Sequence, residues 1–384
     1  MHHVARRTLP SSSAALAAVL SALLVTLAAC AGGPPVTQTP PPDDSRATPT
    51  SQPPASDVPW PLKTREHLDL WLHGYAMLVD DTAKVPLFRP GYHDMMAQRR
   101  RQRNVATALD ANRETLRARL RTNPGLVNGQ FVPLYFASWD EMRRAADLFL
   151  QVNGDPRRAS DQATAQVIGF FAASFPAAAD REWLRLFLVA LDDERTAFYR
   201  AYWQGEQDAR LGVFTTVDTL WQRRALPRLH GFLNNTQQPG GDLMLALPLG
   251  GEGRTVGGRR TENVVAVTYP DTPAAAAEAI YVFAHEVVGT LAAQAVTDNI
   301  TPAEAREGGA DRLQSPAAVQ GGYILLQRAA PELAPGYAAY YLRVAGARGS
   351  AGADPAAALQ GAFPLPAAVR EALARQIESV LAGI

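Results

Sequence analysis

The chain reads as an α+β fold, rich in helix and carrying a small antiparallel sheet, and three observations predict it. From Trp60 to about Thr236, apolar residues recur at three- and four-residue spacing, the period of helices with one buried face. Near Asn234 the pattern changes to two β-branched or alternating runs, DLMLALPLG and ENVVAVTYP, separated by GEGRTVGGRR. Two such runs with a glycine-rich connection predict an antiparallel pair. After Pro270 the helical period returns and holds to the C-terminus.

The first segment, residues 1–29, has Arg6 and Arg7, an apolar run from about Ala14 to Ala28, and small residues before Cys30. A positive start, an apolar stretch and a small-residue cleavage site make a signal peptide. The apolar run is short for a membrane span of about 20 residues. Cys30 is the only cysteine in the chain and stands at the cleavage position. Residues 30–59 are rich in Pro, Thr and Ser with almost nothing to bury, the composition of a disordered tether. In polyproline II form, at about 3.1 Å per residue, such a tether reaches roughly 90 Å.

Residues 60–236 are predicted to be mostly helical. TREHLDLWLHGYAMLVDD places Leu68, Trp71, Leu72 and Tyr75 on one helix face. GQFVPLYFA, Gly129 to Ala137, reads as a strand between helices. SWDEMRRAADLFLQVNG opens with Ser138 and Glu141 spaced as a capping box and stops at Gly154. The stretch from Asp180 to Leu233 reads as one or two long helices.

Residues 237–384 hold the sheet and the remaining helices. No Gly-Lys-Ser/Thr follows the glycine-rich stretch and no helix opens on it, so it reads as a flexible hairpin in preference to a phosphate loop. A helix begins near Thr272 and Pro273, with Ile280, Phe283, Val287 and Leu291 as its apolar stripe. The next opens at Thr301, with Pro302 in its first position and Glu304 completing a capping box. Further helices are predicted over Pro316 to Ala330, Pro335 to Ala345 and Pro364 to Leu381. The chain has 384 residues and is 47% hydrophobic, enough for a large core. Lys plus Arg balances Asp plus Glu at 37 each, so no global field favours nucleic acid or another polyanion.

Two stretches carry resemblances. LAAC, Leu27 to Cys30, resembles the lipobox of bacterial lipoproteins. That resemblance implies a lipidated Cys30 anchored in a bilayer of the cell envelope, and Ala31 after it implies the outer membrane. The mature chain would then have no free thiol and no disulfide in an oxidising compartment.

The second stretch is FAHEVVGTLAA, with His285 and Glu286 adjacent on a helix, and EGGAD downstream, with Glu307 and Asp311 four residues apart. The pattern of edge strand, His-Glu helix, turn and Glu-bearing helix resembles the gluzincins, the thermolysin-like zinc peptidases. The resemblance covers only about Asn263 to Arg312. It implies His285 and Glu307 as zinc ligands, Glu286 as the general base, and Asp311 as the partner that orients His285. It departs at Gly289, where the family carries its second histidine, so that the metal site is degenerate. His93 and His230 are the candidates to fill that place, and Tyr323, Tyr337, Tyr340 and Tyr341 to donate to an oxyanion.

Three readings stay open. In an active form the protein is a zinc-dependent peptidase. In a degenerate form it is a pseudoenzyme, a non-catalytic binding or scaffold lipoprotein holding a peptide or envelope component. In the third, His285 is a satisfied helix histidine and Glu307 and Asp311 are surface acids.

Overall fold

The structure, a computed structural model, describes residues 59–257, 262–347 and 354–383. The segments expected to be a signal peptide and most of the expected tether, Cys30 included, lie outside the described residues.

Helix α1 (Glu66–Leu78) is the centre of the fold, with every side chain from His67 to Leu78 buried. The predicted stripe is thus one face of a helix that is covered all round. It is followed by α2 (Tyr92–Gln102), α3 (Ala108–Thr122), α4 (Trp139–Gln151), α5 (Gln162–Ser174) and α6 (Ala178–Glu194). Helix α6 crosses α1 at Gly74, where a Cβ would come within 2.7 Å of Leu191 and Phe187. Ser138 caps α4 by accepting from the Glu141 amide, as its spacing predicts, while the Glu141 carboxylate accepts from Ala137 N–H.

The stretch predicted as a strand, 129–137, is not one. Residues Pro124–Tyr135 form 3-10 turns. Their carbonyls are taken by side chains of α1: Trp71 Nε1 donates to Gly129 O, Tyr75 Oη to Leu126 O, and His67 Nε2 lies 3.1 Å from Pro133 O. Pro133 has no N–H to give a ladder. The alternation of apolar residues reflects burial against α1, not sheet pairing.

The stretch from Asp180 to Leu233 forms two long helices, each with one π-helical turn. Helix α6 continues through Arg195–Tyr199 into α7 (Arg200–Ala209), and α8 (Leu211–Leu220) continues through Trp221–Ala225 into α9 (Leu226–Asn235).

The sheet has four strands in the order β1 (Leu62–Lys63), β2 (Gly241–Ala246), β4 (Asn263–Thr268), β3 (Arg254–Val256). It is mixed and not antiparallel. β1, β2 and β4 run parallel, with Leu243 opposite Val265, and only β3 runs antiparallel to β4. The glycine-rich link is itself partly a strand, β3, and it is this strand that pairs antiparallel with β4 while β2 pairs parallel with it. β1 belongs to the N-terminal helical region and pairs with β2, so the two regions share one sheet.

Helix α10 (Ala277–Val287) packs on β4. A 42° bend separates it from α11 (Gly289–Asn299). Next come α12 (Pro302–Arg306), α13 (Gly309–Ala329), α14 (Ala334–Val344), α15 (Pro355–Ala362) and α16 (Ala367–Ala382). The Thr301 and Glu304 capping box is present. Helix α13 starts well before Pro316, which it carries inside, and packs against α10, α11 and α16. One buried apolar cluster runs from Trp60 to Ile377.

Candidate functional site

His285 sits in the last turn of α10, 6% exposed. Its ring stacks on Tyr341 with centroids 5.6 Å apart. Nδ1 is 3.0 Å from Glu286 Oε1. Nε2 is buried and has no partner.

Glu286 is held from above by β3 and the residue before it. Gly253 N–H donates to Oε1 at 2.9 Å and Thr255 Oγ1 donates to Oε2 at 2.9 Å. Residues 253 and 255 share a face because side chains alternate along a strand. Gly253 must be glycine for this approach, since a Cβ there would lie 2.3 Å from Ala266 O and 2.8 Å from Glu286 Cγ. Burial would raise the Glu286 carboxyl, but the hydrogen bond and charge of His285, the Gly253 N–H and Arg254 together hold it below the usual carboxylate value. Arg254 points to the other face of β3, where it bonds Gln130 Oε1 at 2.7 Å and covers the Phe131 ring. Glu252 accepts from Ser315 Oγ and ties the same connection to α13. The pair is therefore a clamp between α10 and the edge strand.

The other predicted site residues do not join it. Glu307 and Asp311 are both exposed, and they are not on one helix. Glu307 ends α12, Gly308 follows with φ 75°, and Asp311 lies in the first turn of α13. The four-residue spacing implies a shared face only while the helix is unbroken, and the left-handed Gly308 breaks it. His93 is on α2 beside Arg113, and His230 is exposed on α9 beside Asn234. Tyr337, Tyr340 and Tyr341 donate their hydroxyls to Val319 O, Gly250 O and Gly251 O. Tyr323 packs its ring near that of Tyr337.

Zinc needs three protein donors around one point when a fourth position stays open. Among the described residues, no three His, Cys, Asp or Glu side chains form a group that could hold a metal ion. The residues present do not fit the ion that the motif implies.

A second histidine and glutamate meet in the N-terminal half, where no motif announces them. His73 on α1 lies with Nε2 3.2 Å from Glu194 Oε1, and both side chains are fully buried. His73 Nδ1 is 3.2 Å from Tyr92 Oη. Thr107 Oγ1 donates to Glu194 Oε2, and Arg100 Nη2 is 3.4 Å from the same oxygen. Burial pushes the Glu194 carboxyl up, yet His73, Arg100 and Thr107 bring it below its ordinary value. Glu194 is the residue before the first π-helical turn, a feature frequent at functional positions. The two partners are 121 residues apart in sequence, so no local pattern could have paired them.

No family model, no curated protein and no solved structure matches the chain.

Proposed function

We propose that this protein is a lipoprotein of the cell envelope, anchored through Cys30, whose folded part keeps a gluzincin-like arrangement of edge strand over His-Glu helix but binds or scaffolds and does not cleave. The observation that carries this reading is the engagement of both Glu286 oxygens. A general base must turn its carboxylate toward a metal-bound water, whereas three of the roughly four acceptor positions of this one face groups of the fold. Glu286 directs one oxygen to Gly253 N–H and His285 and the other to Thr255. Its partner of choice is the strand, a structural use of a catalytic pair. Peptides and envelope components are the partners such a tethered domain would meet.

One observation favours the second reading, an active zinc peptidase with a third ligand recruited on binding: the buried, unpartnered Nε2 of His285. Elemental analysis of the purified protein, beside His285→Ala and Glu307→Ala, separates the two. The expected result is no stoichiometric zinc in any of them after incubation with the metal. One equivalent in the wild type, lost in both variants, would overturn the non-catalytic reading. Cys30→Ser is expected to release the protein from the membrane fraction, and unchanged membrane retention would sink the anchor.

A further inference from the structure

A cavity of about 330 Å³ opens between the end of α1, helix α2 and helix α3. Met77, Val105 and Leu109 give it an apolar wall, and Arg100, Arg101 and Arg113 face it from the polar side. The chain is neutral overall, but residues 92–122 carry eight arginines against three acids.

Arg100 is held in place at the floor, 3% exposed, by Asp110, Thr107 and Glu194. Those contacts use Nη2, and its Nε is buried with no partner. Arg113 is fixed by donating to Met77 O at 3.0 Å and to His93 Nε2 at 2.8 Å. Accepting that bond turns His93 Nδ1 toward Asp94 at 3.1 Å. Neither Arg113 nor Arg101 has a carboxylate within ion-pair distance among the described residues. Asp110 is the only acid lining the cavity, and Arg100 already takes it.

Water could satisfy the buried Nε, but water does not neutralise two guanidinium groups that share a cavity. A group with several acceptor oxygens and a double negative charge would do both, because guanidinium forks match phosphate geometry. We propose that this cavity binds a phosphate monoester whose organic part is small and apolar where it meets Met77 and Leu109. The phosphate would sit among Arg100 Nε, Arg101 and Arg113. Such a group is found on free metabolites and at the head of the simplest anionic phospholipid, and the cavity reads the chemistry they share. This site is separate from the His285 region, so it stands or falls independently of the reading given there.

The test is calorimetric titration of the full-length protein with butyl phosphate, and with inorganic phosphate as the headgroup alone. Saturable binding is expected for butyl phosphate, weaker binding for inorganic phosphate, and at least a tenfold loss, about 1.4 kcal/mol, in Arg101→Glu. Arg101 is exposed and has no side-chain partner among the described residues, so that variant is expected to keep the structure intact; Ala97→Trp fills the cavity without changing charge and is expected to abolish binding. Co-sedimentation with phosphatidylcholine vesicles carrying phosphatidic acid separates the sources: binding lost in Arg101→Glu places the ligand in a membrane, and butyl phosphate binding without vesicle binding places it in solution. No saturable binding of butyl phosphate, equal affinity for inorganic phosphate, or an unchanged Arg101→Glu would overturn the proposal.

Discussion

Two histidine and glutamate pairs stand among the described residues, and they invert what their sequences suggest. His285 and Glu286 are adjacent and look like chemistry, but the carboxylate is spent on β3. His73 and Glu194 are far apart and look like nothing, but they form a fully buried pair beside an arginine-lined cavity. Adjacency along a helix says which groups are near each other; only the surrounding strands and helices say what their lone pairs face. The pairs should therefore differ in cost when broken. Glu194 is also the buried carboxylate beside Arg100, and removing one partner of a buried ion pair costs about 3 to 5 kcal/mol; Glu194→Gln takes that charge from Arg100 and one acceptor oxygen from His73 or Thr107. Glu286→Gln keeps a carbonyl oxygen for Gly253 or Thr255 and is expected to cost about 1 to 3 kcal/mol. Denaturant unfolding of both variants measures the difference, and equal costs would erase the distinction drawn between the pairs.

Where the sequence was legible, the cause was local. The stripe Leu68, Trp71, Leu72 and Tyr75 is buried as its spacing requires, and Ser138 and Thr301 cap the helices their side chains announce. The sheet departs from an antiparallel pair because the connection between the two apolar runs contributes a strand of its own. Yet the burial of every residue from Leu243 to Ala246 and from Val265 to Val267 is the habit of parallel strands covered on both faces, not of half-exposed antiparallel ones. Gly253 and Thr255, which hold the two oxygens of Glu286, come from a stretch that no motif connects to it. The four-residue spacing of Glu307 and Asp311 misled because a single left-handed glycine resets the helix.

The same helix that carries His73 holds His67 and Asp69, and these sharpen the contrast through pH. Burial lowers His67 to about 4, against the pull of Pro133 and Phe136 carbonyls. Burial raises Asp69 to about 8, although Trp203 and the Leu247 amide bond its oxygens. Between about pH 4 and 6.5 the unfolded His67 holds a proton that the folded one lacks, so stability rises with pH. Over the same range the folded Asp69 holds a proton that the unfolded one has lost, so stability falls, and the two slopes oppose. Above pH 6.5 Asp69 acts alone, and stability is expected to fall by about 2 kcal/mol on approaching pH 8. Asp69→Asn should flatten that limb and expose the rising His67 limb below it. A wild-type midpoint in urea that does not move between pH 6.5 and 8 would show that Asp69 is ionised throughout. Glu286, by contrast, lies below its ordinary value.

The smallest expected effect probes the motif itself. A Cβ at Gly289 meets nothing within 4 Å, so the backbone there accepts a side chain and Gly289→His completes the sequence of a zinc helix. Its stability should change by about 0.5 kcal/mol or less, since histidine is only slightly better than glycine in a helix. It is also expected to bind no zinc. Two histidines four residues apart converge on a metal only on one unbroken turn, and here the chain leaves the helix at Val288 and bends by 42° before Gly289. Even with both imidazoles aligned, Glu307 is exposed beyond α12 and would have to move to serve as a third donor. Stoichiometric zinc in Gly289→His, measured as for the wild type, would mean that the bend yields to the metal and that the adjacent pair is a latent metal site whose clamp on β3 is secondary. No zinc would leave the clamp as the use to which this fold puts its histidine and glutamate, and the cavity beside Arg100 as the place to look for a ligand.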